Sequence, residues 1–537
     1  MKQKVSQPEL HHSRTGMVLV LVLVVVMLLS FAVYSFSCLM VAEYAATTTG
    51  LTQLQRRELV NSGIELAAVA VRQERMGVVR DEGRVRLSRP IQLSLPEGPA
   101  ATISLLRTVP SGNQKPAYGL RDESAKLNIN TLPLEMSRRK EARSRLMALP
   151  GINVGIADAL LDWMDADDEP SEFGAETSYY TAQSPPRRPR QGPFHDLREL
   201  LQVRGISTDL LYGEDQNRNG ILDPEENDGD RGQPTDNADG VLQRGLSDYV
   251  TLLSCEGTTL ANGRRKINLN QKVLAHLFDQ LEPVLGTEAA TYIVAWRMSG
   301  ATYLDEPRPD EGEDQDRRRL ERLESVTKRL EAQLGNVNGN RPGLSADQTK
   351  RGGLTLSDGS MLLKSPLDLF GGQVRVSLDG KDTLLQSPWA ADPVTVRRLL
   401  PVLEQMVTTT ASDVLPGRIN VNEASEPVLR SLPELSESAA RAIVRMQNEI
   451  HQNQDMTEFS SVAWLVSRGL VSMAQLRAMG GLITTHGDIR TGVAIGQTDG
   501  HAAIAAAAFM LDFSGTNRRI LQLHDLPVMS HTALSLP

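Results

Sequence analysis

Lys126-Leu127-Asn128-Ile129-Asn130 occurs in kindred form twice more, as Lys266-Ile267-Asn268-Leu269-Asn270 and as Arg418-Ile419-Asn420-Val421-Asn422. Each copy is a basic residue followed by aliphatic-Asn-aliphatic-Asn. The alternating aliphatic residues predict a short segment with one face on a core. The second Asn of each copy falls where a helix cap is expected, because its amide oxygen can accept from the exposed amides of a first turn. Working outward, the first copy leads into helical runs from Leu146 to Trp163, joined by Leu149-Pro150-Gly151-Ile152. The third leads through Leu432-Pro433-Glu434-Leu435 into Ala439 to Ile450. Helix, tight Pro-containing turn and helix make a helix-hairpin-helix unit. A second element recurs, since Leu197 to Ile206 is similar to Val462 to Leu470.

The region ahead of the repeats obeys different rules. Met17 to Ala42 is an uncharged, mainly apolar run, preceded by Lys2, Lys4 and Arg14, with Glu43 as the first charge after it. About 20 apolar residues at about 1.5 Å rise each cross a bilayer. The run is too long for a cleaved secretory signal, and the basic flank predicts a cytoplasmic tail with the rest of the chain beyond the membrane. From Glu43 to Arg75, Leu51, Leu54, Leu59, Ile64, Leu66, Val69 and Val71 continue at roughly helical spacing. Alternating segments then follow at Val85 to Leu87, Ile91 to Leu95 and Thr102 to Leu106, the last two flanking Pro96-Glu97-Gly98-Pro99, which predicts a hairpin. The expected fold is α+β, with one long helix followed by an antiparallel sheet.

Composition bounds the rest. The 537 residues carry 23% charged groups and a net charge of −9, enough chain for two or three domains outside the membrane. Cys38 and Cys255 are the only cysteines, and Cys38 lies in the apolar run, so no disulfide framework is expected. The acidic balance disfavours nucleic acid and anionic lipid as partners and suits divalent cations.

Asp215-Gln216-Asn217-Arg218-Asn219-Gly220-Ile221-Leu222-Asp223-Pro224-Glu225-Glu226 fits the calcium loop D-x-[DN]-x-[DN]-G-x5-E at every specified position. A hard cation takes six to eight oxygens at about 2.3–2.6 Å. Asp215, Asn217 and Asn219 would offer side chains, Ile221 its carbonyl, Asp223 a direct or water-borne ligand and Glu226 two oxygens. The polar Asn227 to Pro234 cannot easily form the exit helix of a paired sensor hand, so a single structural calcium clip is expected. Helix-hairpin-helix units also raise a competing reading, a membrane-anchored DNA-binding protein of the competence type. Against it, Asp158, Asp162, Asp165, Asp167, Asp168 and Glu169 crowd the helix after Pro150-Gly151, and Glu434 replaces the third turn's glycine. Nucleic acid is therefore not an expected partner. No metalloprotease His pair, phosphate loop or nucleophile elbow is present, so no enzyme is expected.

Two resemblances build on these residues. The junction of a basic leader with Gly16-Met17 resembles a type IV prepilin leader, which implies cleavage by a prepilin peptidase after Gly16 and N-methylation of Met17. The usual Phe is replaced by Met17 and the usual Glu of the fifth mature position by Leu21. Tyr118 to Asn130, Leu149 to Ile152, Ala159 to Asp168, Tyr179-Tyr180 and Leu246 to Thr251 resemble the minor pseudopilin K family of type II secretion (general secretion pathway protein K), the pseudopilin class that lacks that Glu. The resemblance implies a pilin-like head with a large helical, SAM-like domain inserted in its sheet. It also implies a structural place at the tip of the pseudopilus beside other minor pseudopilins, anchored in the inner membrane with the bulk in the periplasm. Because the resemblance implies calcium in the helical domain, the cluster from Asp162 to Glu169 together with Glu176 is a second candidate Ca2+ site, with Asp165, Asp167, Asp168, Glu169 and Glu176 as its candidate ligands. The expected order is leader 1–16, membrane helix 17–42, pilin-like helix and strands 43–125, helical domain 126–260, an additional repeat with a charged insert 261–415, a further unit 416–485 and C-terminal strands 486–537. The resemblance implies two Asn-x-Asn repeats, so the Lys266 copy and the segment up to about Pro416 read as an insertion or an extra unit. Within it, Asp310 to Gln333 is expected to be an amphipathic helix and Gly335 to Gly353 a linker.

Overall fold

One helix runs without a break over Thr15–Arg75. From Val18 to Tyr44 its large apolar side chains are exposed, whereas Leu59, Val60, Ile64, Ala67, Ala68 and Val71 are buried. Leu51, Leu54 and Val69, which share the helical spacing, stay exposed. Among the described residues this is the one helix long and apolar enough to cross a membrane. The computed structural model describes residues 15–75, 87, 89–93, 100–107, 117–215, 222, 226–231, 236–260, 263–303, 350–356, 359–452, 458–498, 503–515, 517–526 and 529–530.

The C-terminal half of the helix lies on an antiparallel sheet ordered Ile91–Leu93, Ala101–Arg107, Ile489–Thr498, Ala503–Asp512, Arg519–Asp525. The strands on either side of residues 94–99 pair antiparallel as expected, with Ile91 opposite Ile103. Helix and sheet meet closely at Gly496, where a Cβ would stand 2.7 Å from Leu59 Cβ and 2.8 Å from the Arg56 carbonyl oxygen. Gly496→Val is accordingly expected to destabilise the head by about 1–3 kcal/mol, as overpacking does, read as a lower melting temperature of the detergent-solubilised chain. A melting temperature equal to that of the wild type would contradict this contact.

Arg121–Asp122 pairs with the same central strand, Asp122 opposite Arg490. The chain therefore leaves the sheet at Asp122 and rejoins it at Ile489, and everything between is an insertion whose two ends touch. Inside the insertion the Asn-x-Asn copies open three units of one design. Leu127–Asn128 pairs in parallel with Val250–Thr251, Ile267–Asn268 with Val407–Thr408, and Ile419–Asn420 with Ile483–Thr484. Each unit is closed by a β-branched residue and Thr lying beside aliphatic-Asn.

The cap expected of the second Asn belongs to the first. Asn128, Asn268 and Asn420 Oδ1 accept from the backbone N–H of Asn130, Asn270 and Asn422 at 3.1, 2.9 and 3.0 Å. The chain turns directly out of the strand, so the amide needing an acceptor lies two residues after the first Asn, as in an Asx turn. The second Asn instead clasps distant backbone. Asn130 Nδ2 donates to the Phe194 and Leu252 carbonyls, Asn270 Nδ2 to Leu363 and Thr409, and Asn422 Nδ2 to Phe459 and Thr485.

Each unit then forms a helical hairpin: Arg139–Met147 with Val154–Met164, Leu274–Leu285 with Thr287–Ser299, and Glu426–Arg430 with Glu437–Gln452. The linking turns use Gly151 at φ 75°, Gly286 at 88° and Glu434 at 62°. The middle unit is nested between the outer two, since Cys255–Gly257 and Val414–Pro416 form an antiparallel neck around it. It also has its own sheet, ordered Lys350–Arg351, Leu354–Thr355, Gly372–Leu378, Lys381–Gln386, with Thr302–Tyr303 beside Gly372–Leu378. Strand Lys350–Arg351 and the turn at Gly352-Gly353 lie where the end of a linker was expected. The expected helix from Asp310 to Gln333 falls outside the described residues. The three units share one hydrophobic core, whose fully buried members include Leu127, Leu269, Leu277, Leu399, Ile419 and Val428.

Candidate metal centre

Helix Val154–Met164 begins at Asn153, whose Oδ1 accepts from Ile156 N–H at 3.0 Å, and is buried continuously from Ile156 to Met164. Asp158 and Asp162 point into this interior, both fully buried. Charge at such depth needs a partner, and the preceding helix supplies two. Arg143 forks onto Asp158 at 2.6 and 3.0 Å, and Arg139 bridges Asp162 and Asp165. These three aspartates are therefore internal. They do not form the acidic outer face that the sequence reading set against DNA.

The chain leaving Asp165 folds back over the cluster. Ser171 N–H and Oγ donate to Asp162 at 3.1 and 2.7 Å. At Gly174 a Cβ would lie 1.7 Å from Asp162 Oδ2, so only glycine lets the loop pass. Glu176, 1% exposed, ends this wrap. Ligand oxygens of Asp162, Asp165 and Glu176 lie within 4.8 Å of one another, and Asp165 Oδ1 and both Glu176 oxygens have no hydrogen-bond partner. Burial raises the pKa of Asp162 and of Asp165. Burial, with the carboxylates of Asp165, Asp162 and Asp168, pushes Glu176 up to about 8. An all-oxygen donor set with excess negative charge and unsatisfied buried oxygens fits a hard divalent cation.

Of the second candidate cluster, Asp165 and Glu176 converge here. Asp167, Asp168 and Glu169 are exposed, with Asp167 Oδ1 accepting from Glu169 N–H and Asp168 Oδ1 from Thr177 N–H. Asp162 takes the third place, and its spacing of three residues from Asp165 at a helix end was the available signal.

In the Asp215 loop, Asp215 and Glu226 are both buried, at 9% and 5% exposure. Asn217, Asn219, Ile221 and Asp223 lie outside the described residues. The base of the loop is closed by Glu214 N–H to the Gln243 carbonyl at 2.7 Å and by Gln243 N–H to Glu214 Oε2 at 2.8 Å. Beyond Glu226, Asp236 accepts from the amides of Asp228, Gly229 and Ala238. Among the described residues, the segment that follows Glu226 forms the single turn Gly229–Arg231. At the N-terminus, Gly16 and Met17 lie in the first turn of the long helix.

At the third hairpin, Glu434 holds the left-handed turn position, and Arg441 is paired with Glu426 at 3.2 Å and with Glu437. A carboxylate at the turn and a neutralised arginine beside it oppose phosphate binding.

The fold is a long helix with a membrane-length apolar half, packed on an antiparallel sheet that carries a nested helix-hairpin-helix insertion. Residues 125–212 match the first-domain model of the family described as type II secretion system (T2SS), protein K. An Escherichia coli (strain K12) protein named as type II secretion system protein K is 25% identical over 217 residues, which are 37% of this chain and 61% of that protein. The chain thus spans about three fifths of that relative's length. The crystal structure of the GspK-GspI-GspJ complex from the enterotoxigenic Escherichia coli type 2 secretion system overlays with a TM-score of 0.32. Identity there is 10%, covering 89% of this chain and 99% of that chain.

Proposed function

We propose that this chain is a minor pseudopilin of a type II secretion system, with a structural role at the tip of the pseudopilus and no catalytic activity of its own. The observation that carries the proposal is the position of the matched domain. It lies within an insertion that leaves the pilin-like sheet after Arg121–Asp122 and returns at the strand paired with it, Ile489–Thr498, the sheet itself packing on a helix with a membrane-length apolar half. On this reading the N-terminus lies in the cytoplasm, the span in the inner membrane and the bulk in the periplasm, with other minor pseudopilins as the partners; the basic residues ahead of the apolar run support that orientation. Prepilin peptidase cleavage after Gly16 should leave an N-methylated Met17, and the mature chain should co-purify with other minor pseudopilins. Intact mass measurement of the membrane-extracted protein tests the first point. A chain still starting at Met1 would refute the assignment.

We also propose that Ca2+ is held at two places, by Asp162, Asp165 and Glu176 and by the loop from Asp215 to Glu226. Calcium would supply charge balance and fixed loop geometry, nothing more. A ligand at a hundred times its Kd adds about 2.7 kcal/mol of stability, so chelation is expected to lower the melting temperature by several degrees. Asp215→Ala with Glu226→Ala should abolish part of that difference, and Glu176→Gln the rest. Identical melting of the wild type with and without chelator would refute both sites.

A further inference from the structure

We infer that Arg139 is a positioning residue for the acidic cluster: its guanidinium holds one oxygen each of Asp162 and Asp165, so that the oxygens left over converge on a single divalent cation. The inference rests on the cation reading of that cluster.

Nη1 of Arg139 is 2.5 Å from Asp165 Oδ2, and Nη2 contacts Asp162 Oδ1. The side chain is 9% exposed and sits on the first helix of the hairpin, whereas both aspartates belong to the end of the second. Of the cluster's oxygens, Arg139 and Ser171 occupy those of Asp162, and Arg139 occupies one of Asp165. Asp165 Oδ1 and Glu176 Oε1 and Oε2 are left without partners. The guanidinium thus engages one oxygen of each aspartate and leaves Asp165 Oδ1 facing the two Glu176 oxygens, while Asp162 Oδ2 accepts from Ser171 N–H. With a cation in place of the Glu176 proton, three carboxylates against one guanidinium would leave two negative charges, which one divalent ion balances. A planar fork suits this role, because it spans two carboxylates at once where an ammonium is a point charge. Groups that orient a ligand from behind typically change metal affinity 10–100-fold.

Positioning and simple charge competition predict opposite signs. Removing a nearby positive charge should tighten cation binding if Arg139 only repels, and weaken it if Arg139 orients. The test is calorimetric titration of the full chain in detergent with calcium chloride, in an Asp215→Ala/Glu226→Ala background so that the loop contributes no heat. The background protein should bind one ion, Arg139→Gln should bind at least tenfold more weakly, and Arg139→Lys should fall between them. Should Arg139→Gln fail to fold, Arg139→Lys keeps the buried charge and supplies the comparison, again weaker than background. Equal or tighter binding by either variant overturns the positioning role. No calcium heat from the background protein overturns the cation reading and this inference with it.

Discussion

Glu256→Gln is expected to cost about 3–5 kcal/mol at neutral pH, the usual penalty for removing one member of a buried ion pair. Glu256 lies in the neck strand Cys255–Gly257 and is 5% exposed. Arg418 Nη1 approaches Oε2 at 3.1 Å, Thr484 Oγ1 donates to Oε2 at 3.0 Å, and Lys266 Nζ stands 3.7 Å from Oε1. Lys266 and Arg418 are the basic residues that open the second and third Asn-x-Asn copies, so one carboxylate ties both copies to the neck. Burial alone would raise its pKa. Arg418, His486 and Lys266, with the Thr484 hydrogen bond, outweigh burial and hold it down to about 2.

The folded value lies below the ordinary glutamate value of about 4.3. The stabilisation is therefore complete above about 4.3 and is lost as pH falls through 2, a span worth about 3 kcal/mol. Glu404 works in the opposite sense, since burial and the charge of Glu256 raise its pKa, and its cost at neutral pH is relieved on acidification. Hydrogen exchange of the neck amides should show faster opening in Glu256→Gln at pH 7, with the difference from wild type shrinking toward pH 2. A difference below about 1 kcal/mol at pH 7 would mean that the two cations are satisfied elsewhere.

What could be read from the sequence was local. The membrane-length run, the helix after it, the hairpin around Pro96 and the three Asn-x-Asn copies depend on residues within a few positions of one another. The partners of those copies do not. Val250–Thr251, Val407–Thr408 and Ile483–Thr484 are two-residue strands paired in parallel with segments far away in the chain, too short to carry a periodic signal. The middle hairpin escaped for a related reason. Its turn is the single Gly286, and Pro283 sits inside the preceding helix, so the Leu-Pro-Gly pattern of the first copy is absent. Acidic residues could be counted but not sorted. Whether an aspartate of this region faces in or out depends on Arg139 and Arg143 reaching across the hairpin, and that pairing is tertiary.

Asn270→Leu and Asn422→Leu remove equivalent clasps, yet their effects are expected to spread differently. Asn270 Nδ2 donates to the Leu363 and Thr409 carbonyls at 2.9 and 2.8 Å, while Oδ1 accepts from Leu363 N–H at 3.0 Å. Asn422 does the same work with Phe459 and Thr485, and its Oδ1 accepts from Trp464 Nε1 at 3.0 Å. Leucine at either site strands several backbone and side-chain groups at about 1–3 kcal/mol each. The middle unit, however, is closed by its own Val407–Thr408 pairing and held at its root by the neck. Asn420, two residues before Asn422, donates to Asp122 Oδ2 at 2.9 Å, and that same oxygen accepts from Gly487 N–H at 2.6 Å. The third unit is therefore bonded to the point where the insertion joins the pilin-like sheet. In hydrogen exchange, Asn270→Leu should speed amides within 267–303 and 359–408 and leave Ile489–Thr498 protected. Asn422→Leu should expose 419–484 and the N-terminal end of Ile489–Thr498 together. Exposure of that central strand by Asn270→Leu would show that the middle unit is coupled to the sheet as well, and its protection in Asn422→Leu would show that the third unit is not coupled to the sheet through Asp122.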